Sequence, residues 1–193
     1  MNIELQSMAI DLPPFAAHPN RAPFQGVLTL VDTPSDHAPS GASGHRVLLT
    51  RAAADRALPS LLGMALDYAP SLDRHDARRK VGIITEANIV DHPLSAVGSR
   101  ALSPMADSRE RLEIAGYLYA RDFPEVMREL RRQTIAGEGA RAAYALGMSY
   151  EITDARIDDL RAAVWTITEC TFTGAAILRR DKAAYRDTWI ELL

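Results

Sequence analysis

In the stretch YALGMSYEI, residues 144–152, large and small side chains alternate. On a strand successive side chains point to opposite faces. Leu146, Met148, Tyr150 and Ile152 then share one side, and Ala143, Ala145, Gly147 and Ser149 share the other. The second face is nearly bare. Either it leaves room for a peptide to approach Ser149, as a nucleophile on a strand requires, or it packs closely against another backbone.

Around this stretch the composition is that of an ordinary globular chain: 193 residues, 47% hydrophobic and 24% charged, which predicts one domain over residues 1–193. The net charge of −3 and the dispersed basic residues indicate neither a nucleic-acid surface nor an acidic tail. A single cysteine, Cys170, allows no internal disulfide and no cysteine-based zinc site. The start, MNIELQSMAIDLPPF, has acids among alternating apolar residues and does not read as a signal peptide. No window approaches the roughly 18 apolar residues of a membrane span, so a cytoplasmic protein without a membrane partner is expected.

Upstream, residues 2–12 and 22–33 read as strands between proline-rich breaks, and RVLLT as a short strand. The segment 34–45 between them is predicted to be a flexible loop. RAAADRALPSLLGM, from Arg51, reads as a helix with Pro59 near an end or at a kink. RKVGIITEANIV and RLEIAGYLYA read as strands flanking residues 91–110, the longest irregular segment, predicted to be a flap or disordered. In RDFPEVMRELRRQ a helix is predicted with Asp122 as cap, Pro124 in the first turn and Glu125 at capping-box spacing; Phe123, Val126, Met127 and Leu130 form its buried stripe. AAVWTITECTFTGAAIL reads as a long strand and RRDKAAYRDTWIELL as a closing amphipathic helix. Many strands with few, separated helices predict an α+β domain built on an antiparallel sheet or barrel.

A serine hydroxyl needs an adjacent base to become a nucleophile at neutral pH. His18, His37 and His45 sit in proline- or glycine-rich segments and His92 opens the irregular segment. His75, in LDRHDARRKVG, comes just before an apolar strand that could hold it, or is a solvated histidine among charges. A carboxylate or a second histidine must orient the imidazole. Glu169 is the one charged residue in WTITECTFTG, which calls for a partner if its face is buried, or for a structural salt bridge or an edge position. Cys170 points the other way, with Phe172, and is expected in the core.

In the order His75, Ser149, Glu169 the chain resembles the prohead (capsid maturation) serine proteases of tailed phages, with the herpesvirus assemblins as distant relatives. The phage proteases show a histidine followed by a glycine on a strand, as in RHDARRKVGIITEA with His75 and Gly82; then a strand like LEIAGYLYARDFPEV, a helix, a serine strand among small residues like ALGMSYE, and an acidic residue in a hydroxyl-rich strand like ITECTFTGAAIL. The likeness spans roughly residues 22–187. It implies a mostly antiparallel β-barrel flanked by helices, the assemblin-like prohead protease fold, and a Ser-His-Glu triad of Ser149, His75 and Glu169. Arg179 and Arg180, in LRRDKAAY, loosely match the assemblins' arginine box as oxyanion candidates; a solvated pair opening the last helix is the alternative.

What the resemblance implies is a serine endopeptidase that cleaves scaffold and major capsid proteins, and itself, inside the assembling prohead in the host bacterial cytoplasm. A homo-oligomer without cofactor is expected, its scaffold being a separate protein or lost from a longer precursor. Two other readings stand beside it: a catalytically inactive structural or scaffold protein of a phage capsid on the same fold, and a small-molecule-binding barrel, for which there is no Gly-rich phosphate loop and no histidine-carboxylate metal spacing.

Overall fold

Apolar runs bounded by proline and glycine become eight strands of one sheet in the computed structural model, which describes residues 18–93, 108–135 and 146–193. In chain order these are β1 (Arg21–Leu30), β2 (Arg46–Leu49), β3 (Ala65–Asp67), β4 (Lys80–Pro93), β5 (Ser108–Tyr119), β6 (Leu146–Ile157), β7 (Val164–Arg179) and β8 (Trp189–Leu192). Helix α1 (Arg51–Ala57) follows β2, and α2 (Pro124–Ile135) follows β5. The strands lie in the order β2-β7-β3-β4-β5-β1-β8. β6 runs along the other edge of β7, because Ala175 and Ala176 pair with β3 and with β6 at once.

Most pairings are antiparallel, but β7 receives both β2 and β3 in parallel. The sheet curls into a half-barrel, and β6 packs against β1 and β8 with no ladder to either. One continuous core contains Phe24, Leu28, Leu49, Leu66, Ile84, Leu118 and Phe172, all but excluded from solvent. The architecture is mixed α+β and strand-rich, as expected.

The helices follow from local chemistry. The Thr50 hydroxyl accepts the Ala53 N–H and starts α1, whose Ala53, Ala54 and Ala57 are small enough to pack closely. Pro59 falls in a 3-10 turn, Leu58–Leu61, at the predicted end. In α2 Val126, Met127 and Leu130 are buried and Phe123 packs against the core. Asp122 does not cap this helix as expected; it lies two residues before the first helical residue, Pro124, and accepts a hydrogen bond from Asn20 Nδ2 at 2.9 Å.

The 34–45 segment forms neither helix nor strand; at its start the Ser35 hydroxyl donates to His37 O and accepts from Val47 N, and the Asp36 and His37 amides both donate to Ala184 O. Two other expectations are changed. The closing segment is not a helix; turns lead into β8, which pairs with β1 from Val27 to Phe24. The irregular stretch expected at 91–110 is narrower, since β4 and β5 stay paired out to Pro93 and Ser108. Residues 94–107 lie outside the described residues, as do the strand predicted at 2–12 and Ala143 and Ala145. Among the described residues no helix is long and apolar enough to cross a membrane.

Candidate active site

β6 carries the centre of the site. Leu146 and Met148 turn into the core, while Ser149, half-buried, faces the same side as Gly147. The partners of Gly147, Ser149 and Glu151 on β7 are Leu178, Ala176 and Gly174, so two of the three opposing side chains are minimal. Glu151, two residues beyond Ser149, shares its face. Space for the Glu151 carboxylate exists because residue 174 is glycine: a Cβ there would lie 2.8 Å from Glu151 Oε2.

His75 comes from the turn between β3 and β4, and that turn is held at several points. Leu72, with a left-handed φ of 53°, accepts the Arg179 amide at 2.6 Å, which docks the turn on the end of β7. The Arg79 amide donates to Asp76 O, and the Tyr68 amide to Arg79 O. The Arg79 guanidinium bonds the Tyr68 hydroxyl at 2.6 Å and stacks over its ring, and Glu125 of α2 bonds the same hydroxyl. These contacts deliver His75 Nδ1 to 3.0 Å from Glu151 Oε1, with both side chains about a quarter exposed.

A third group stands behind this pair. Asp67, the last residue of β3, is fully buried; its Oδ1 accepts the Asp76 amide at 3.2 Å and its Oδ2 lies 3.4 Å from Lys80 Nζ. One atom each of Asp67, His75 and Glu151 lie within 4.8 Å of one another. Burial pushes the Asp67 carboxyl up from its ordinary value, the Asp76 amide draws it back, the Glu151 charge pushes it further up, and His75 and Lys80 draw it down. One nitrogen and two oxygens at this spacing are the atoms a cation would need, but here Lys80 and the Asp76 amide already supply positive partners to Asp67.

Ser149, His75 and Glu151 line one cavity of about 750 Å³, whose far wall is apolar with Val47, Trp165 and Ile167. Ala38 to Ala42, from the 34–45 loop, also line it. The site thus combines a strand-borne hydroxyl, a histidine with one nitrogen engaged by a carboxylate, and an adjoining apolar recess. A chain of this kind can deprotonate a hydroxyl: with the Nδ1 proton donated to Glu151, Nε2 keeps its lone pair.

Two of the three residues expected to form the triad meet at this cavity, His75 and Ser149. The structure does not bring Glu169 to them. Glu169 stands seven residues back along β7 from Ala176, roughly 20 Å away at strand rise, where its half-exposed carboxylate bonds Arg156 Nη1 at 3.1 Å. Arg179 pairs with Asp181, and Arg180 bonds Arg186 O and approaches Asp187 at 3.7 Å; neither lines the cavity. Cys170 packs against the core, and burial pushes its thiol up to about 11. His45 stacks on Trp165, and the rings of His18 and His37 bond Asn20 and Arg186. Glu151 and Asp67 are the residues beside His75 that sequence reading does not single out.

Comparison with family models, with curated proteins and with solved structures gives no match.

Proposed function

We propose that this protein is a serine endopeptidase of the prohead maturation type, with Ser149 as nucleophile, His75 as general base and Glu151 in the orienting role. The observation that carries the reading is the 3.0 Å contact of His75 Nδ1 with Glu151, on the same strand face as Ser149 and two residues from it. His75 Nε2 takes the Ser149 proton as Oγ attacks a peptide carbonyl, then gives it to the leaving amine; water deacylates the ester by the same route in reverse. Glu151 holds the imidazole tautomer and stabilises the imidazolium. The apolar recess beside Ser149 suits an extended peptide with an apolar side chain. The chain order of histidine, serine strand and hydroxyl-rich strand supports scaffold and major capsid segments as substrates, cleaved by a homo-oligomer inside the assembling prohead in the bacterial cytoplasm.

A catalytically silent shell or scaffold component is the second reading. It is favoured by one observation: among the described residues the Ser149 hydroxyl makes no hydrogen bond to His75.

A fluorophosphonate probe read by intact mass, with and without sulfate to favour assembly, separates the two. The protease reading expects one adduct that Ser149→Ala abolishes. Glu151→Gln slows labelling by about 10³- to 10⁴-fold, the scale of losing the orienting carboxylate in a triad, while Glu169→Gln leaves the rate unchanged. No adduct in either condition favours the silent component, and a loss with Glu169→Gln matching that of Ser149→Ala would return the orienting role to Glu169.

A further inference from the structure

Four residues on four neighbouring strands stand in one row across the sheet: Lys80 on β4, Asp67 on β3, Ala176 on β7 and Ser149 on β6. Directly paired residues share a face, so Asp67 and Ser149 look out on the same side with only the methyl group of Ala176 between them. From its place in the row Asp67 reaches the His75 turn through the Asp76 amide, one residue beyond the imidazole, and comes within 4.8 Å of both His75 and Glu151.

We infer that Asp67 is a positioning residue of this site: its buried carboxylate, balanced by Lys80, fixes the turn that holds His75 against Glu151 and adds its charge to the field at the imidazole. Two features favour this over a purely structural ion pair. Lys80 alone would be served by a carboxylate at the surface, where it is itself over a third exposed, yet Asp67 has no exposed surface. The second oxygen is spent on the one turn that carries the proposed base. The charged groups around His75 are Glu151 from β6 and Asp67 from β3, its turn neighbours Asp73, Arg74 and Asp76, the last paired with Arg78, and Lys182, which lines the same cavity; Lys80 acts on it through Asp67.

The inference rests on the serine protease reading for its role, but its electrostatic content can be measured without activity. The imidazole of His75 is titrated by NMR in the wild type, Asp67→Asn and Lys80→Met, and fluorophosphonate labelling of Ser149 is followed in the same proteins. Removing the negative charge disfavours the imidazolium, and removing the positive charge favours it. The His75 midpoint is therefore expected to fall in Asp67→Asn and to rise in Lys80→Met, each by about half a pH unit or more. The acid limb of labelling moves with it, and Asp67→Asn loses roughly 10- to 100-fold in rate at the optimum, the scale of a misplaced reacting group. Should Asp67→Asn fail to fold, the rise in Lys80→Met decides.

Midpoints that stay at the wild-type value in both variants, or move the same way, overturn the inference. Opposite shifts without any labelling of the wild type would retain Asp67 as the group that sets His75 while removing the protease reading.

Discussion

Ser149 and Glu151 differ by two positions, and that spacing is the most economical signal in the chain. Strand alternation, applied to Ser149 and its small neighbours, extends without further assumption to Glu151, so the carboxylate that meets His75 was legible inside the serine stretch itself. Glu169 drew attention as an isolated charge in an apolar strand, yet it satisfies that charge with Arg156 at the surface, a partner that no local pattern indicates. Asp67 was not legible, because β3 is covered on one side by β7, which pairs with it from far along the chain. Its titration has a thermodynamic consequence. Burial raises this carboxyl above its ordinary value of 3.8, so the folded state holds the proton more tightly than the unfolded chain. The stabilisation is complete below the ordinary value and disappears as pH rises through the raised one. The unfolding free energy of the wild type minus that of Asp67→Asn is therefore expected to fall as pH rises from about 4. Urea unfolding at a series of pH values checks it; a difference that is flat or rising in pH contradicts the assignment.

At the scale of elements, the long strands were readable because β-branched and apolar residues are concentrated in them, as in KVGIITEANIV of β4 and AAIL at the end of β7. β8 was read as helix because apolar and charged residues in RRDKAAYRDTWIELL mix at helix-like spacing. Pairing of Trp189–Leu192 with β1 wins over that pattern, and the buried Thr188 hydroxyl ties the turn down by accepting Met148 N and donating to Tyr185 O. The pairing of β6 with β7 is where an element constrains the chemistry most closely. Gly174→Ala places its methyl 2.8 Å from Glu151 Oε2, whose flexible end can move aside, and 3.3 Å from the backbone oxygen of Ala65 on β3, which must give by a few tenths of an ångström. Thermal unfolding of the variant is expected to show a loss of about 1–3 kcal/mol, whereas Ser149 labelling under folding conditions slows by about tenfold or more as Glu151 leaves its place against His75. Equal labelling rates would show that Glu151 does not need that position.

For the whole molecule, the last segment acts as a clasp on the cavity. The Tyr185 hydroxyl, almost wholly buried, bonds Thr33 O and Val47 O at 3.1 Å, and Ala184 O receives two amides of the 34–45 segment. Tyr185→Phe leaves these buried carbonyls without that donor and is expected to cost about 1–3 kcal/mol in urea unfolding; an unchanged midpoint would mean the clasp holds without it. The parallel junction of β3 with β7 has a different consequence. Asp67 meets Ala176 only after most of the chain has been made and two stretches far apart in it have been brought together. Until that late, long-range closure, the turn bearing His75 has neither its dock at Arg179 nor its partner on β6. A growing or half-folded chain lacks both contacts, so any reactivity of Ser149 that depends on His75 waits for the completion of folding itself.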